Sequence, residues 1–254
     1  MFLISLLTQA QITENRTVGN FSKIKVSQGI DVFFTQGEWK PLRIETENQE
    51  NLAYLKTEVD GNTLKLFIDA DNVSKGRDTK QRKKKNGDNW VNFQSMKVFV
   101  TAPHVTDFTA SSSGSIQFEN AIQSDNVTLK ASSSGSISGD INCKNVAMEA
   151  SSSGDITSKL KADKVEADVS SSGDLTLSGT VTTAEIQASS SGDCKAKNLV
   201  ATNVVIAASS SGSIEITVLE SLDAKASSSG DIWYCGNPTK VAKDTSSSGS
   251  ITKK

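Results

Sequence analysis

The sequence predicts an all-β solenoid: a single-stranded parallel β-helix with coils of about 19 residues, behind a β-rich N-terminal cap. Three observations carry that prediction. From residue 111 onward the phrase S-S-S-G-(S/D)-(I/L/C) occurs eight times, with its glycines at Gly114, Gly135, Gly154, Gly173, Gly192, Gly212, Gly230 and Gly249. The residues before each phrase alternate apolar and polar, which is the period of a strand with one buried face. The chain also has nine Phe, three Trp and two Tyr, of which only Trp233 and Tyr234 lie beyond Phe118, so the C-terminal half must fill its interior almost without rings.

Composition excludes several function classes first. The 254 residues carry 27 Lys and Arg against 29 Asp and Glu, leaving no overall basic field for nucleic acid. One histidine, His104, rules out a His-rich metal centre and leaves a His-based triad dependent on a single residue that reads as surface. The three cysteines, Cys143, Cys194 and Cys235, have no C-x-x-C spacing; Cys194 stands in an aliphatic column and reads as a small hydrophobe, and a Cys143–Cys235 bridge stays open.

Residues 1–10 read as the remnant of a secretory signal, an apolar run from Phe2 to Leu7 followed by small Thr8 and Ala10, with Gln11 as the new amino terminus. No cysteine nearby supports a lipid anchor, and no later apolar run reaches the ~20 residues of a membrane helix. Residues 11–254 read as one domain. Its first part, residues 11–105, supplies strands and a cap. Phe21–Phe34 looks like a degenerate repeat with Ser27 and Gly29 near the S-x-G place; Leu52–Val59 and Thr63–Ile68 flank an Asp60-Gly61-Asn62 hairpin turn; Met96–Thr101 is a strand ended by Pro103. The basic segment 73–92, with Lys80, Arg82, Lys83, Lys84 and Lys85, reads as a solvated loop between strands, against contact with an anionic glycan or lipid headgroup.

Residues 106–254 hold the eight repeats. One, three and five places before each Ser triplet come Val127, Leu129, Ala131, then Val146, Met148, Ala150, and so on to Leu222, Ala224, Ala226. A second apolar column, from Ile116 to Ile251, follows each glycine by two places. Both columns are expected to face inward, and seven steps at about 4.8 Å make a rod of roughly 35 Å. Continuing the alternation puts the middle Ser of each triplet inward and its two neighbours outward, with the glycine taking a left-handed or bulged corner. The bore of the coils is expected to be too narrow for rings, and the first 118 residues are expected to carry the bulky side chains in a broader, capping region. The last coil breaks pattern with Lys243 and Thr245 and reads as a polar end, residues 233–254.

The run Arg16–Gly37, the segment Asn51–Leu66, the strand Met96–Pro103 and the S-S-S-G-D/S repeats together resemble the "putative auto-transporter adhesin, head GIN domain" family of Bacteroidetes-type bacteria. That resemblance implies an exported β-helical protein without catalytic residues to transfer. With the chirality of parallel crossovers, it also implies a right-handed coil.

Two chemistries are open to the repeats. Asp155, Asp174 and Asp193 follow successive glycines about 5 Å apart, a spacing that could bind a cation or supply the paired carboxylates of a polysaccharide-active enzyme. Their neighbours are mainly Ser, Thr and Ala, and Asp alternating with Ser is equally a soluble turn cap. No G-x-S-x-G elbow accompanies the serines. The outward serines Ser132, Ser134, Ser151, Ser153, Ser170, Ser172, Ser189 and Ser191 form a flat polar face suited to weak multivalent contact with a glycan or cell-surface component. The reading is therefore an exported, non-enzymatic adhesin or surface-binding protein without a cofactor, against a polysaccharide enzyme or a purely structural envelope component. If the Ala column faces inward, Phe at Ala150 or Ala188 lowers stability by about 1–3 kcal/mol in denaturant unfolding; a change near zero shows that the column faces elsewhere.

Overall fold

The protein is described by a computed structural model that covers residues 12–47, 49–69 and 96–254; residues 1–10, read from the sequence as a signal remnant, and the basic segment 73–92 lie outside the described residues. In chain order the N-terminal elements are β1 (Ile12–Arg16), β2 (Lys23–Val26), β3 (Ile30–Gln36), β4 (Leu42–Thr46), α1 (Gln49–Tyr54), β5 (Leu55–Asp60), β6 (Thr63–Ile68), β7 (Met96–Ala102), β8 (Asp107–Ser111) and β9 (Ser115–Phe118). The coils continue as β10 (Ile122–Ser132), β11 (Ser136–Ser151), β12 (Asp155–Val169), β13 (Asp174–Ala188), β14 (Asp193–Ala208) and β15 (Ser213–Ala226). They finish with β16 (Asp231–Cys235), β17 (Lys240–Thr245) and β18 (Ser250–Lys253). All of these strands belong to one sheet, wound as a solenoid of parallel coils.

Each full coil has three walls. In β12 these are Asp155–Ser158, Leu160–Ala162 and Lys164–Val169, and β12 pairs in register with β11 before it and β13 after it. The expected apolar columns are buried throughout, from Val127, Leu129 and Ala131 to Leu222, Ala224 and Ala226, and from Ile116 to Ile232, while Ile251 packs partly against the core. Alternation of Val, Ile, Leu and Ala with polar residues thus gives an interior on one side of each strand and a charged exterior on the other.

The first coils are stacked out of chain order. Strand β2 lies between β6 and β8, and β3 lies between β7 and β9, all parallel, so residues 23–36 are sandwiched between two coils that follow them in sequence. Antiparallel β1 and β4 then extend the β7 edge, and β5 closes the β6 edge as a hairpin through Gly61. Residues 52–54 belong to a helix instead of the expected strand. Arg16 donates to the carbonyls of Leu52 (2.9 Å) and Leu55 (2.7 Å), satisfying acceptors at the helix C-terminus. The coil of β2 and β3 has no second wall because the chain leaves at Gly37, and Gln36 substitutes for it. Its side-chain amide accepts from the Gln123 N–H (2.7 Å) and donates to the Gln123 carbonyl (2.9 Å), as a peptide group in a missing strand would.

The Ser-Gly corner differs from the sequence expectation. The first Ser is half-buried, but the middle and third are exposed and both have positive φ, for example Ser171 (51°) and Ser172 (60°). Gly173 then donates to the Ser170 carbonyl (2.9 Å), closing a tight turn of the positive-φ class. The middle serines therefore point outward, because two consecutive left-handed residues reverse the chain and break the period-two alternation. The glycine, which was expected to supply the left-handed conformation, does not have it. Its role is space: a Cβ on Gly173 would lie 2.6 Å from the Ala150 carbonyl oxygen of the preceding coil, and on Gly154 2.4 Å from that of Ala131.

The same turn exists in the degenerate repeat, shifted by one place. Gln28 (61°) and Gly29 (70°) hold the left-handed positions, Ile30 stands where the glycine does elsewhere, and the Gly29 N–H bonds to the Ser112 carbonyl. The bulky side chains of the first 118 residues fill the interior of the N-terminal coils. Phe34, Phe108 and Phe118 cluster inside the first two coils with centroids 4.6–6.3 Å apart, and Tyr234 is buried near the far end. Room comes from Gly139, where a Cβ would lie 2.5 Å from that of Phe118. At the C-terminal edge β17 is exposed along its length; Lys243 lies over the Tyr234 ring and Lys254 over Trp233, giving a charged end that disfavours edge pairing.

These roles predict opposite outcomes at adjacent residues. Gly173→Ala forces a Cβ into the Ala150 carbonyl and lowers stability by about 1–3 kcal/mol. Ser172→Gly removes left-handed strain at a small entropic cost and changes stability by less than about 1 kcal/mol in either direction. Denaturant midpoints of the two variants check this; a harmless Gly173→Ala overturns the close-approach account.

Candidate functional site

Stacking turns sequence repeats into columns on the rod. Along the Ser-Gly corner, the N–H of the third Ser in one coil donates to the carbonyl of the middle Ser in the next, as from Ser134 to Ser152, Ser153 to Ser171 and Ser172 to Ser190, each at 3.2 Å. The exposed serines therefore form a continuous ridge with about one coil spacing, 4.8 Å, between rungs. Of the serines singled out from the sequence, Ser134, Ser153, Ser172 and Ser191 stand on this ridge, whereas Ser132, Ser151, Ser170 and Ser189 are half-buried at its foot. The middle serines, among them Ser133, Ser152, Ser171 and Ser190, complete it and were missed. Only the backbone sign of φ, invisible in an alternation pattern, turns them outward. No hydroxyl of a middle or third serine bonds to another described side chain, so the ridge presents them to solvent.

The carboxylate column lies on the first wall, beside this ridge. Asp155, Asp174 and Asp193 pair in register from coil to coil. Elsewhere in the column a serine separates the acids and bonds across the step: Ser115 donates to Asp31 (2.6 Å), Ser213 to Asp193 (2.5 Å) and Ser250 to Asp231. Between Asp155 and Asp193 that pairing is absent, and a lysine replaces it. Lys195 donates to Asp174 at 2.7 Å. The neighbourhood is thus not only Ser, Thr and Ala, and the signal was available, since Lys195 stands in the column of Thr157 and Thr176. Burial, then the Asp174 charge, holds the Asp155 carboxyl above its ordinary range, against an opposing effect of Lys195. Hydrogen bonding to Asp174 raises the Lys195 ammonium in turn. The arrangement is a charge ladder whose central acid is ion-paired with Lys195. Among the described residues no group of three His, Cys, Asp or Glu side chains is placed to hold a metal ion.

His104 is exposed. The three cysteines are free, so no Cys143–Cys235 bridge forms. Burial, then Asp193, pushes the Cys194 thiol up to about 12, and burial with Asp163 pushes Cys143 to about 11, which keeps both protonated and unreactive at neutral pH. Among the described residues no helix is long and apolar enough to cross a membrane.

Comparison with known proteins agrees with this architecture. The family described as "Putative auto-transporter adhesin, head GIN domain" matches residues 20–159 and 148–238, most of the chain. Among solved structures, a protein titled putative adhesin from Bacteroides fragilis is 24% identical with a TM-score of 0.67, covering 97% of this chain and 98% of its own. A putative lipid binding protein from Parabacteroides distasonis is 23% identical with a TM-score of 0.81 and 96% coverage of each chain. A putative adhesin from the same species is 19% identical with a TM-score of 0.82, covering 96% of this chain and 97% of its own. At these identities the likeness establishes the fold alone. No curated protein matches the sequence.

The Asp155 carboxyl gives the column a pH signature. Because its native pKa is raised, the folded state holds its proton more tightly than the unfolded chain does, so stability falls as pH rises through and just above the ordinary carboxylate range. Asp155→Asn is expected to raise the thermal midpoint at pH 7 and to leave it unchanged near pH 3; equal gains at both pH values contradict the electrostatic cause.

Proposed function

The chain belongs to the putative auto-transporter adhesin, head GIN domain family, and from that premise we propose that it is an exported, non-enzymatic attachment protein of the bacterial envelope. Its place is periplasmic, outer-membrane-associated or extracellular, and its partner is a glycan or another cell-surface component. The observation that carries this reading is the serine ridge. Two left-handed residues per coil, each costing on the order of 1 kcal/mol, occupy places where Gly or Asn is easier, and each keeps a hydroxyl in water. Repetition along the rod provides many equivalent weak contacts, so that affinity grows with the number engaged.

The carboxylate column favours a scaffold over a polysaccharide enzyme. Paired acid–base catalysis needs two carboxyl groups free to act on one bond. Here Asp174 is held by Lys195, and Asp193 accepts from Ser213.

Glycine supplies the test, since it keeps the turn and removes the hydroxyl. Replacing the middle and third serines by glycine in one, two and four successive turns is expected to reduce binding of the purified protein to cell surfaces in a steepening series. An unchanged four-turn variant removes the ridge from the reading, and absence of binding by the native protein to any glycan or cell surface overturns the reading itself.

A further inference from the structure

Away from the serine ridge, past the far end of the first wall, a shallow depression lies along the second wall. There the chain forms an open groove of about 810 Å³ running along the rod axis across successive coils. Its floor is the column Ser124, Cys143, Ala162 and Val181, small side chains in register from coil to coil. One bank carries Asn142, Lys161 and Thr180; the other carries Lys144, Asp163 and Thr182. The volume is in the range of small-molecule and cofactor sites, although the groove is open at the surface.

We propose that this groove is a binding site for a neutral, hydroxyl-rich saccharide chain lying parallel to the rod axis. The proposal rests on the attachment reading and adds to the ridge a second site of named ligand class, on a face the serines do not share. Three observations select the occupant. First, the charges balance, with Asp125 and Asp163 against Lys144 and Lys161, and Lys144 is paired with Asp125 at 3.0 Å. A polyanion such as nucleic acid or an acidic polysaccharide meets no net positive field there. Second, the strands under the groove are paired on both sides in the parallel ladder, so a peptide cannot add to them as a further strand. Among the described residues no aromatic side chain lines the groove to anchor a protein hot spot. Third, the banks offer side-chain amides, hydroxyls, ammonium groups and a carboxylate, donors and acceptors that match the two-way hydrogen bonding of sugar hydroxyls. They stand at the coil step of about 4.8 Å, so a chain molecule meets a polar partner on each rung.

The test is electrophoresis of the native protein through gels containing dextran, mannan or polygalacturonate. Retardation by at least one of the two neutral polymers, and less by polygalacturonate, is expected. Asn142→Ala combined with Lys161→Ala is expected to weaken retention at least tenfold, with the thermal midpoint recorded to show that these surface changes leave the fold intact. Asn142→Trp, which fills the groove, is a second route to the same loss. The glycine-substituted ridge variant is expected to be retained like the native protein. No retention of the native protein by either neutral polymer, or equal retention of all groove variants, overturns the groove proposal. In both cases the attachment reading is decided separately by the cell-surface binding of the ridge variants. Loss in the ridge variant with retention in the groove variants moves the saccharide site to the serines and likewise overturns the proposal.

Discussion

The stack depends on one close approach, repeated at a single corner. Each repeat glycine from Gly135 onward sits so near the backbone of the preceding coil that a Cβ there would come within 2.3–2.7 Å of its nearest atom. This contact follows from the turn before it. Two left-handed serines reverse the chain in the smallest possible loop, which brings the glycine over the buried residue that ends the strand below, usually Ala. The turn hydrogen bond from Gly to the first Ser, and the coil-to-coil bond from the third Ser to the middle Ser, then satisfy the backbone groups that such a corner leaves exposed. Strain of order 1 kcal/mol per serine is offset by these bonds, each with a net value of about 0.5–1.5 kcal/mol.

Because this corner is rigid, length variation is displaced elsewhere. Glycine spacings of 20 and 18 residues occur on either side of Gly212. The register between β13 and β14 shifts between Thr176 and Ser178, and that between β14 and β15 shifts between Ala196 and Val200 and again between Ala201 and Asn203. All three irregularities fall on or next to the second wall, and the Ser-Gly turns remain aligned through them. The second wall is therefore where the fold tolerates irregularity. A rod with one fixed corner and one adaptable wall separates two tasks, since the corner holds the repeat while the wall can accept shape.

Parallel stacking also explains what the sequence made legible. When neighbours in space are about 19 residues apart in the chain, an inward column can be read by counting, and Val127 through Ala226 needed nothing more. The errors lie where counting fails. Parity along a strand carries the middle serine inward only if the backbone stays extended, and two positive φ values at Ser171 and Ser172 cancel that assumption. Threading fails for a different reason. Residues 23–36 lie between coils formed later in the chain, and nothing local to Ile24 or Val32 marks the strands on either side. Phe34, Phe108 and Phe118 fall within the first 118 residues, where bulky side chains were expected, and Gly139, next in the stack to Phe118, leaves them volume. Lys195 was legible in principle, since the column that yields Asp155 and Asp174 also places a lysine beside them.

The ends of the rod follow from the same geometry. A parallel coil leaves an unpaired row of N–H and C=O groups at each end, and neither end can fold back on itself as a barrel does. At the N-terminal end the chain covers that row with antiparallel strands, β1 on β4 and β5 on β6, and Gln36 completes the coil that lacks a second wall. At the other end the last coil keeps the repeat but exchanges its buried column, with Lys243 where Ala224 stands one coil earlier and Thr245 where Ala226 stands. That exchange is informative about the interior. An Ala column is needed only where another coil lies above it, so the first place it can be abandoned is the coil with nothing stacked on it among the described residues. Lys243 and Lys254 lie over the Tyr234 and Trp233 rings in the same region. Small residues at this corner are thus a property of the contact between coils and not of the coil itself. The same distinction makes the serines informative, because the coil contact accounts for Gly and Ala but places no demand on the hydroxyls that stand outside it.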